Sequence, residues 1–263
     1  MRSKSNHRTY PAPLILPAER NDIPRLVEIY VLAEAHDLIL TVDSINLSLV
    51  RKWLIEILEE QFDGPELRLM KAVDRECGEI TALAFWWLRG WGLEKEKNGL
   101  GITPGLYGQN LNGIGNGNER AKPFLFPPLL ESNNSQVSPS ADGPGSPLQK
   151  HISKSFKAFE DAWVTRTKYL HLSLLMTDPK YQRRGIGTAL LEWGHEFADR
   201  EGVPCFLIAS PVGHPLYAHV GWKEIGVMEV DLKDWAEYAK SGDMGWGIYR
   251  YYYMLRLPKD AKS

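Results

Sequence analysis

The sequence predicts an α/β domain in which strands and amphipathic helices succeed one another around one long polar interruption. Three observations carry that prediction. Leu170, Leu172, Leu174 and Leu175 form a strand-like pattern that leads, through Asp178-Pro179-Lys180-Tyr181-Gln182-Arg183-Arg184-Gly185-Ile186-Gly187-Thr188-Ala189, into a helix. That helix carries Ile186, Ala189, Leu190, Trp193 and Phe197 at helical spacing. Residues 67–73 alternate apolar with charged side chains and are followed, across a turn at 74–79, by the aromatic-rich segment 80–88, which reads as a hairpin. Near the end, 222–232 and 248–257 read as two strands that pair antiparallel across a polar loop at 233–245.

The remaining elements follow in order. Leu14 to Leu16 suggests a strand. Asp22 is placed to cap a helix with Pro24 in its first turn and Ile23, Leu26, Val27, Tyr30 and Ala33 at a 3.6-residue period. After a link at 36–44, a second helix presents Leu49, Trp53, Leu54, Ile57 and Leu58 on one face. Between 98 and 148 the chain is dominated by Gly, Pro, Asn and Ser, too poor in apolar surface to offset the entropy of ordering, so this insertion is expected to be mobile. A helix over 148–164 carries Ile152, Phe156, Phe159 and Trp163, the central strand spans 169–177, and a short apolar strand spans 204–209. We read one domain over 12–258, interrupted at 98–148, with a flexible N-terminus at 1–11 and a tail at 259–263.

Composition narrows the function. Lys plus Arg number 31 against 33 Asp plus Glu, a net charge of −2, so no global field recruits nucleic acid or an anionic membrane. The local run Lys150, Lys154, Lys157, Arg166 and Lys168 is interrupted by Glu160 and Asp161 and reads as a solvated helix face. Cys77 and Cys205 are far apart on different elements, which argues against a disulfide framework and a Cys-based metal site, and for a reducing compartment. The apolar run at 82–88 is too short to cross a bilayer, and the expectation is a soluble, cytoplasmic protein.

The glycines at 185 and 187 fall where a strand hands over to a helix. There the first backbone N–H groups lack intrahelical partners and the dipole is positive, so the segment reads as a backbone cradle for a pyrophosphate. A dinucleotide fold would require a third glycine and an acid at the end of the next strand, and a P-loop would require Gly-Lys-Ser/Thr; all are missing. What is present is Gln/Arg-x-x-Gly-x-Gly/Ala with a Pro just ahead, which resembles the acetyl-CoA loop of the GNAT N-acetyltransferase superfamily. A second block, Leu216-Tyr217-Ala218-His219-Val220-Gly221-Trp222, resembles that family's L-Y-x-x-x-G-F/W segment. Leu14-Ile15-Leu16-Pro17-Ala18 followed by Asn21-Asp22-Ile23-Pro24 resembles its first strand and helix.

The resemblance implies a central mixed, mostly antiparallel sheet flanked by helices, acetyl-CoA as co-substrate, no metal, and direct attack of a primary amine on the thioester in a ternary complex. It also implies roles. Backbone groups of Leu175, Met176 and Thr177 would bind pantetheine; the amides of Arg183, Arg184, Gly185, Ile186, Gly187 and Thr188, with the Gln182 side chain, would face the diphosphate. Tyr217 matches the tyrosine that protonates the departing thiolate, and Ser210 replaces an Asn used beside the coenzyme. Where many members carry a basic Glu this chain has Cys205, which leaves His171 on the central strand as the candidate base, titrating near pH 6.5, with Ser173 on the same side to hold a water. His171 also reads as a partly buried strand histidine with a backbone partner.

The acceptor side would be walled by 36–44, by 233–247 and by Phe85-Trp86-Trp87, aromatic and roughly neutral surfaces that favour a small-molecule amine ahead of a protein amine. A sensor or scaffold that binds acyl-CoA without transferring is the alternative, motivated by Cys205.

Overall fold

The structure is a computed structural model that describes residues 10–35, 37–42, 47–91, 146–163, 168–236 and 245–259. Its elements are β1 (Leu14–Pro17), α1 (Ile23–Glu34), α2 (Leu38–Val42), α3 (Leu47–Gln61), β2 (Leu67–Val73), β3 (Ile80–Arg89) and α4 (Pro147–Trp163). They continue as β4 (Tyr169–Thr177), α5 (Ile186–Glu201), β5 (Cys205–Ala209), α6 (His214–His219), β6 (Lys223–Asp231) and β7 (Ile248–Arg256). Most of the segments 98–148, 1–11 and 259–263 lies outside the described residues; from Pro147 onward the chain is helical.

Among the described residues seven strands form one sheet in the order β1-β2-β3-β4-β5-β7-β6. Every neighbouring pair is antiparallel except β4 with β5. A mixed, mostly antiparallel sheet flanked by helices is thus the observed architecture. The 67–88 hairpin and the closing β6–β7 pair form as the alternation and turn residues predict.

Side-chain parity along β4 decides which helix covers which face. Leu170 and Leu172 pack with Leu190 and Leu191 of α5, whereas Tyr169 points to the α4 side, among Ile152, Phe156 and Phe206. The β3–β4 register slips by one residue, Phe85 facing Leu174 and Trp86 facing Leu172, so Ser173 is a bulge. Beyond it the parity inverts: Leu175 takes the α5 face, and Leu174 and Met176 join the α1 and α3 cluster with Leu26, Tyr30 and Leu54. Hence α5 covers one face, and α1, α3 and α4 share the other.

Three sequence expectations change in three dimensions. Asp22 does not cap α1: its carboxylate accepts from the Glu19 amide and from Lys71 Nζ, both at 2.6 Å. Lys71 is the reason, because β2 is buried along almost its whole length rather than half exposed, and a buried ammonium requires a counter-charge. Part of the 36–44 link is the helix α2, whose Ile39 and Val42 pack into the α4 cluster; positions 36, 43 and 44 lie outside the described residues.

Trp86 lies flat against α5 where Gly194 has no side chain, and a Cβ there would sit 2.2 Å from Trp86 Cζ2. Neither the helix backbone nor a fully buried indole can yield cheaply. Gly194→Ala is therefore expected to destabilise the fold by about 1–3 kcal/mol despite the better helix propensity of alanine, read as a lowered urea midpoint at unchanged slope.

Candidate active site

The site begins where two strands separate. β4 and β5 pair only over Leu170–Cys205, His171–Phe206 and Leu172–Leu207; beyond these, 174–177 pairs with β3 alone and 208–209 with β7 alone. Burial follows the separation, since 169–172 are buried and 173–177 partly open. The Ser173 bulge is fixed by its own hydroxyl, which accepts from Trp87 Nε1 at 3.1 Å and donates to the Phe85 carbonyl at 3.4 Å. The backbone of Leu175 and Met176 thus faces a gap between the parted strands.

The glycine loop closes one end of that gap. Buried Asp178 receives Arg25 Nη2 at 2.6 Å and the Lys180 amide at 2.9 Å. Burial opposes its ionisation, but Arg25 and the amide overcome that and hold the carboxyl below its ordinary range. Gln182 Nε2 donates to the Thr177 carbonyl, and Arg184 donates to the Lys180 carbonyl while lying over the rings of Tyr10 and Tyr181. Arg184 therefore braces the loop.

Arg183 adopts φ +63°, a left-handed conformation that costs a non-glycine residue about 1–2 kcal/mol. Gly185 follows at φ +79° as the N-cap of α5, with open space where a Cβ would stand. Ile186, Gly187 and Thr188 form the first helical turn, whose amides have no carbonyl behind them within the helix. Gly187 has a packing role as well, because a Cβ there would lie 3.2 Å from Leu216 Cδ2 and 3.8 Å from Leu175 Cδ2.

On the other side of the gap a cavity is lined by Leu175, Met176, Ser210, Tyr217, His171 and Ser173, and also by side chains that sequence reasoning did not assign. Tyr217 is buried beneath Trp222 with the rings edge to face, and burial raises its phenol well above the ordinary value, so it remains a proton donor. Ser210 Oγ accepts the Gly213 amide at 3.3 Å. Glu34, Asp37 and Glu160 add three carboxylates to the wall, so the cavity is acidic rather than neutral.

Glu34, at the end of α1, is raised from 4.5 to about 8, by desolvation first and by the nearby Asp37 second. Asp37 accepts from Tyr249 OH at 2.8 Å. His171 does not titrate near 6.5: burial lowers it to about 4, with the Glu160 carboxylate pulling it back only in part. Its Nδ1 is buried without a hydrogen-bond partner, 3.8 Å from Glu160 Oε1, which accepts from Tyr169 OH. Among the described residues no backbone group partners this nitrogen.

Other expected walls are absent from the cavity. Phe85 and Trp86 are fully buried in the core, and the described part of 233–247 stays away while Tyr249 and Tyr251 of β7 take its place. Cys205 is buried, its thiol pushed up to about 12 by desolvation, and it packs behind the sheet. His214 stacks on Tyr252 and His219 ends α6. Glu34 was legible in principle, since a carboxylate one turn after Tyr30 interrupts the apolar stripe of α1.

Parted central strands, a glycine turn opening α5 and a cavity on the opposite face together make up the candidate site. Residues 161–233 match the family model of the acetyltransferase (GNAT) domain. An uncharacterized N-acetyltransferase of Schizosaccharomyces pombe is 38% identical over 95 residues, covering 36% of this chain and 37% of that protein. An acetyltransferase of Stachybotrys chartarum is 44% identical over 71 residues, 26% of this chain and 31% of its own length. The match thus spans about a third of these curated relatives.

The fold of the histone acetyltransferase HPA2 and related acetyltransferase of Corynebacterium glutamicum superposes with a TM-score of 0.52, at 17% identity, over 96% of this chain and 100% of that one. Over residues 161–233 the chain is similar to the GNAT acetyltransferase domain, and the likeness of fold extends over almost its whole length. Among the described residues no group of three metal-ligating side chains occurs, and no helix is long and apolar enough to cross a membrane.

The buried histidine gives a sign for acid stability. With His171 at about 4 in the fold and 6.5 when exposed, the unfolded chain binds a proton in that window that the native chain refuses. Its contribution is complete above pH 6.5 and lost as pH falls toward 4. Glu34 acts oppositely, costing stability as pH rises from 4.5 to 8. Urea midpoints of wild type and His171→Asn between pH 4 and 7 isolate the histidine: the substitution is expected to flatten the acid limb, and parallel curves would mean the ring titrates normally.

Proposed function

We propose that this protein is an acetyl-CoA-dependent N-acetyltransferase that acetylates a primary amine by direct attack within a ternary complex. One observation carries this reading: the parted strands join the glycine loop to the acidic cavity. Leu175 lies against Gly187 and also lines the cavity, and α6 touches Gly187 through Leu216 while Tyr217 reaches the cavity. A ligand held at the α5 N-terminus and threaded between β4 and β5 would present its far end to Tyr217 and Glu34.

When bound, acetyl-CoA supplies an activated acyl group on a thiolate leaving group. The loop amides from Arg183 to Thr188 hold its diphosphate, aided by the helix dipole, with Gln182 keeping the loop closed on Thr177. Open space at Gly185 suits close approach of a phosphate. Backbone groups of Leu175, Met176 and Thr177 hold the pantetheine arm, and Ser210 lies beside it. Tyr217, neutral throughout the physiological range, protonates the sulfur as it leaves.

We assign the base to Glu34 in place of His171. An amine arrives as an ammonium and must lose a proton. A carboxylate whose pKa lies near 8 takes that proton with a driving force that an imidazole at about 4 cannot match. The absence of any Lys or Arg from the cavity wall among the described residues further favours a cationic acceptor. We place the protein in the cytoplasm, a reducing setting that suits exposed, unpaired Cys77.

Two substitutions test the roles. Tyr217→Phe is expected to lower kcat by about 10²-fold with little change in acetyl-CoA affinity by calorimetry; an unchanged rate would remove it as the acid. Glu34→Gln is expected to lower kcat/KM by about 10²–10⁴-fold. With an acceptor amine of low pKa, wild-type rates should rise through pH 8 and lose that limb in the variant. A limb surviving in Glu34→Gln would assign it to another group.

A further inference from the structure

The reaction requires one carboxylate, yet the cavity holds two separate acidic clusters. Glu34 and Asp37 come from the α1–α2 side and share their field with Tyr249 and Tyr251. Glu160 comes from α4, and its neighbours are Tyr169 and His171. The second cluster has no part in proton removal or in thiolate release. Its chemistry is nevertheless that of a binding group.

Glu160 is anchored on a rigid element. Phe159 stacks on Tyr253 at 3.6 Å with the rings 5° from parallel, Phe156 meets Tyr251 edge to face at 4.9 Å, and Tyr253 OH donates to the Ser155 carbonyl. Leu148 and Ile152 are fully buried below. The helix therefore holds Glu160 in place with its side chain 17% exposed and one oxygen taken by Tyr169 OH. Beside it, His171 is about nine-tenths buried, lines the cavity and leaves Nδ1 without a partner.

Arg89, whose charge reaches His171 and Tyr169, has its guanidinium 5.0 Å from the Trp87 ring and 3.9 Å from Glu66, and it does not line the cavity. A carboxylate facing a cavity with spare acceptor capacity, next to an unsatisfied imidazole, is complete only when a donor enters.

We propose that the acceptor carries, besides its reacting amine, a second hydrogen-bond donor, a hydroxyl or a further ammonium, and that Glu160 with His171 binds it. This rests on reading the cavity as the acceptor site. Glu34 and Asp37 take the reacting end; Glu160 takes the other, across walls supplied by Trp53, Phe156 and Tyr251. The substrate class is a compact bifunctional amine, and Glu160 is a specificity determinant that does not touch the reacting atoms. A site built to hydrogen-bond a polar group discriminates strongly against an analogue that lacks it, because its own buried groups are then left unpaired.

The test compares pentylamine with 5-amino-1-pentanol and 1,5-diaminopentane, and phenethylamine with its 4-hydroxy derivative, by thiol release from acetyl-CoA. In wild type the donor-bearing member of each frame is expected to exceed its parent in kcat/KM by about tenfold or more, mainly through KM. The two alkyl arms separate hydroxyl from ammonium. Glu160→Gln, checked for an unchanged melting temperature, should bring the ratio to within about threefold of unity, and His171→Gln should shrink it in part. Should Glu160→Gln fail to fold, Tyr169→Phe, which frees the carboxylate from its positioning phenol, is expected to shrink the ratio as well. Equal use of parent and donor-bearing amines by wild type, or a ratio unaltered in a folded Glu160→Gln, overturns this proposal alone. No thiol release from any amine while acetyl-CoA binds overturns the acceptor reading with it.

Discussion

The separation of β4 from β5 after three residue pairs is the constraint from which the rest of the site follows. Strand backbone inside a domain must satisfy its N–H and C=O groups, so a sheet does not part at its centre unless something else takes up the freed groups. Two features hold this break open. The Ser173 bulge shifts β4 against β3 and is pinned by Trp87 and Phe85, while β5 is drawn toward β7 by continuous antiparallel pairing. The bulge also inverts side-chain parity, which turns Leu175 toward α5 and Leu174 toward α1 and α3. A single extra residue thereby parts the strands and turns successive side chains of β4 toward different faces.

The two sides of the gap differ in electrostatic character. At α5 the backbone presents free donors in a left-handed turn, without dependence on any side chain charge. On the opposite face three carboxylates and several phenols crowd a poorly solvated cavity, and burial raises Tyr30, Tyr217, Tyr249 and Tyr251. Under that crowding Glu34 retains its proton to about pH 8, which lowers the charge that the cavity must bear. On the proposed reading an anionic co-substrate and a cationic acceptor approach from opposite sides and meet at the gap.

Much of this was legible in the chain. The central strand, its glycine turn and the following helix were readable because a period of two changes to a period of 3.6 across two glycines, a local pattern that tertiary context does not disturb. Tyr217 stood out as part of a block, and it lines the cavity. Other features depended on long-range partners: Asp22 was committed to Lys71, Arg184 was used to brace its own loop, and His171 lost its ordinary titration to burial under Phe206 and Tyr169. Phe85 and Trp86 looked like pocket walls because aromatic composition alone cannot distinguish a core strand from a lining strand.

Local sequence thus determined the order of elements, the antiparallel hairpins and the glycine turn that opens α5, since each is set by side-chain periodicity, glycine conformation and helix-end geometry within a few residues. Only the tertiary structure decided that Glu34, Asp37, Glu160 and His171 face one cavity. They lie up to 137 positions apart, on α1, its following turn, α4 and β4, and their protonation is governed by shared desolvation. That is a property of the space between elements, which no segment of the chain carries alone.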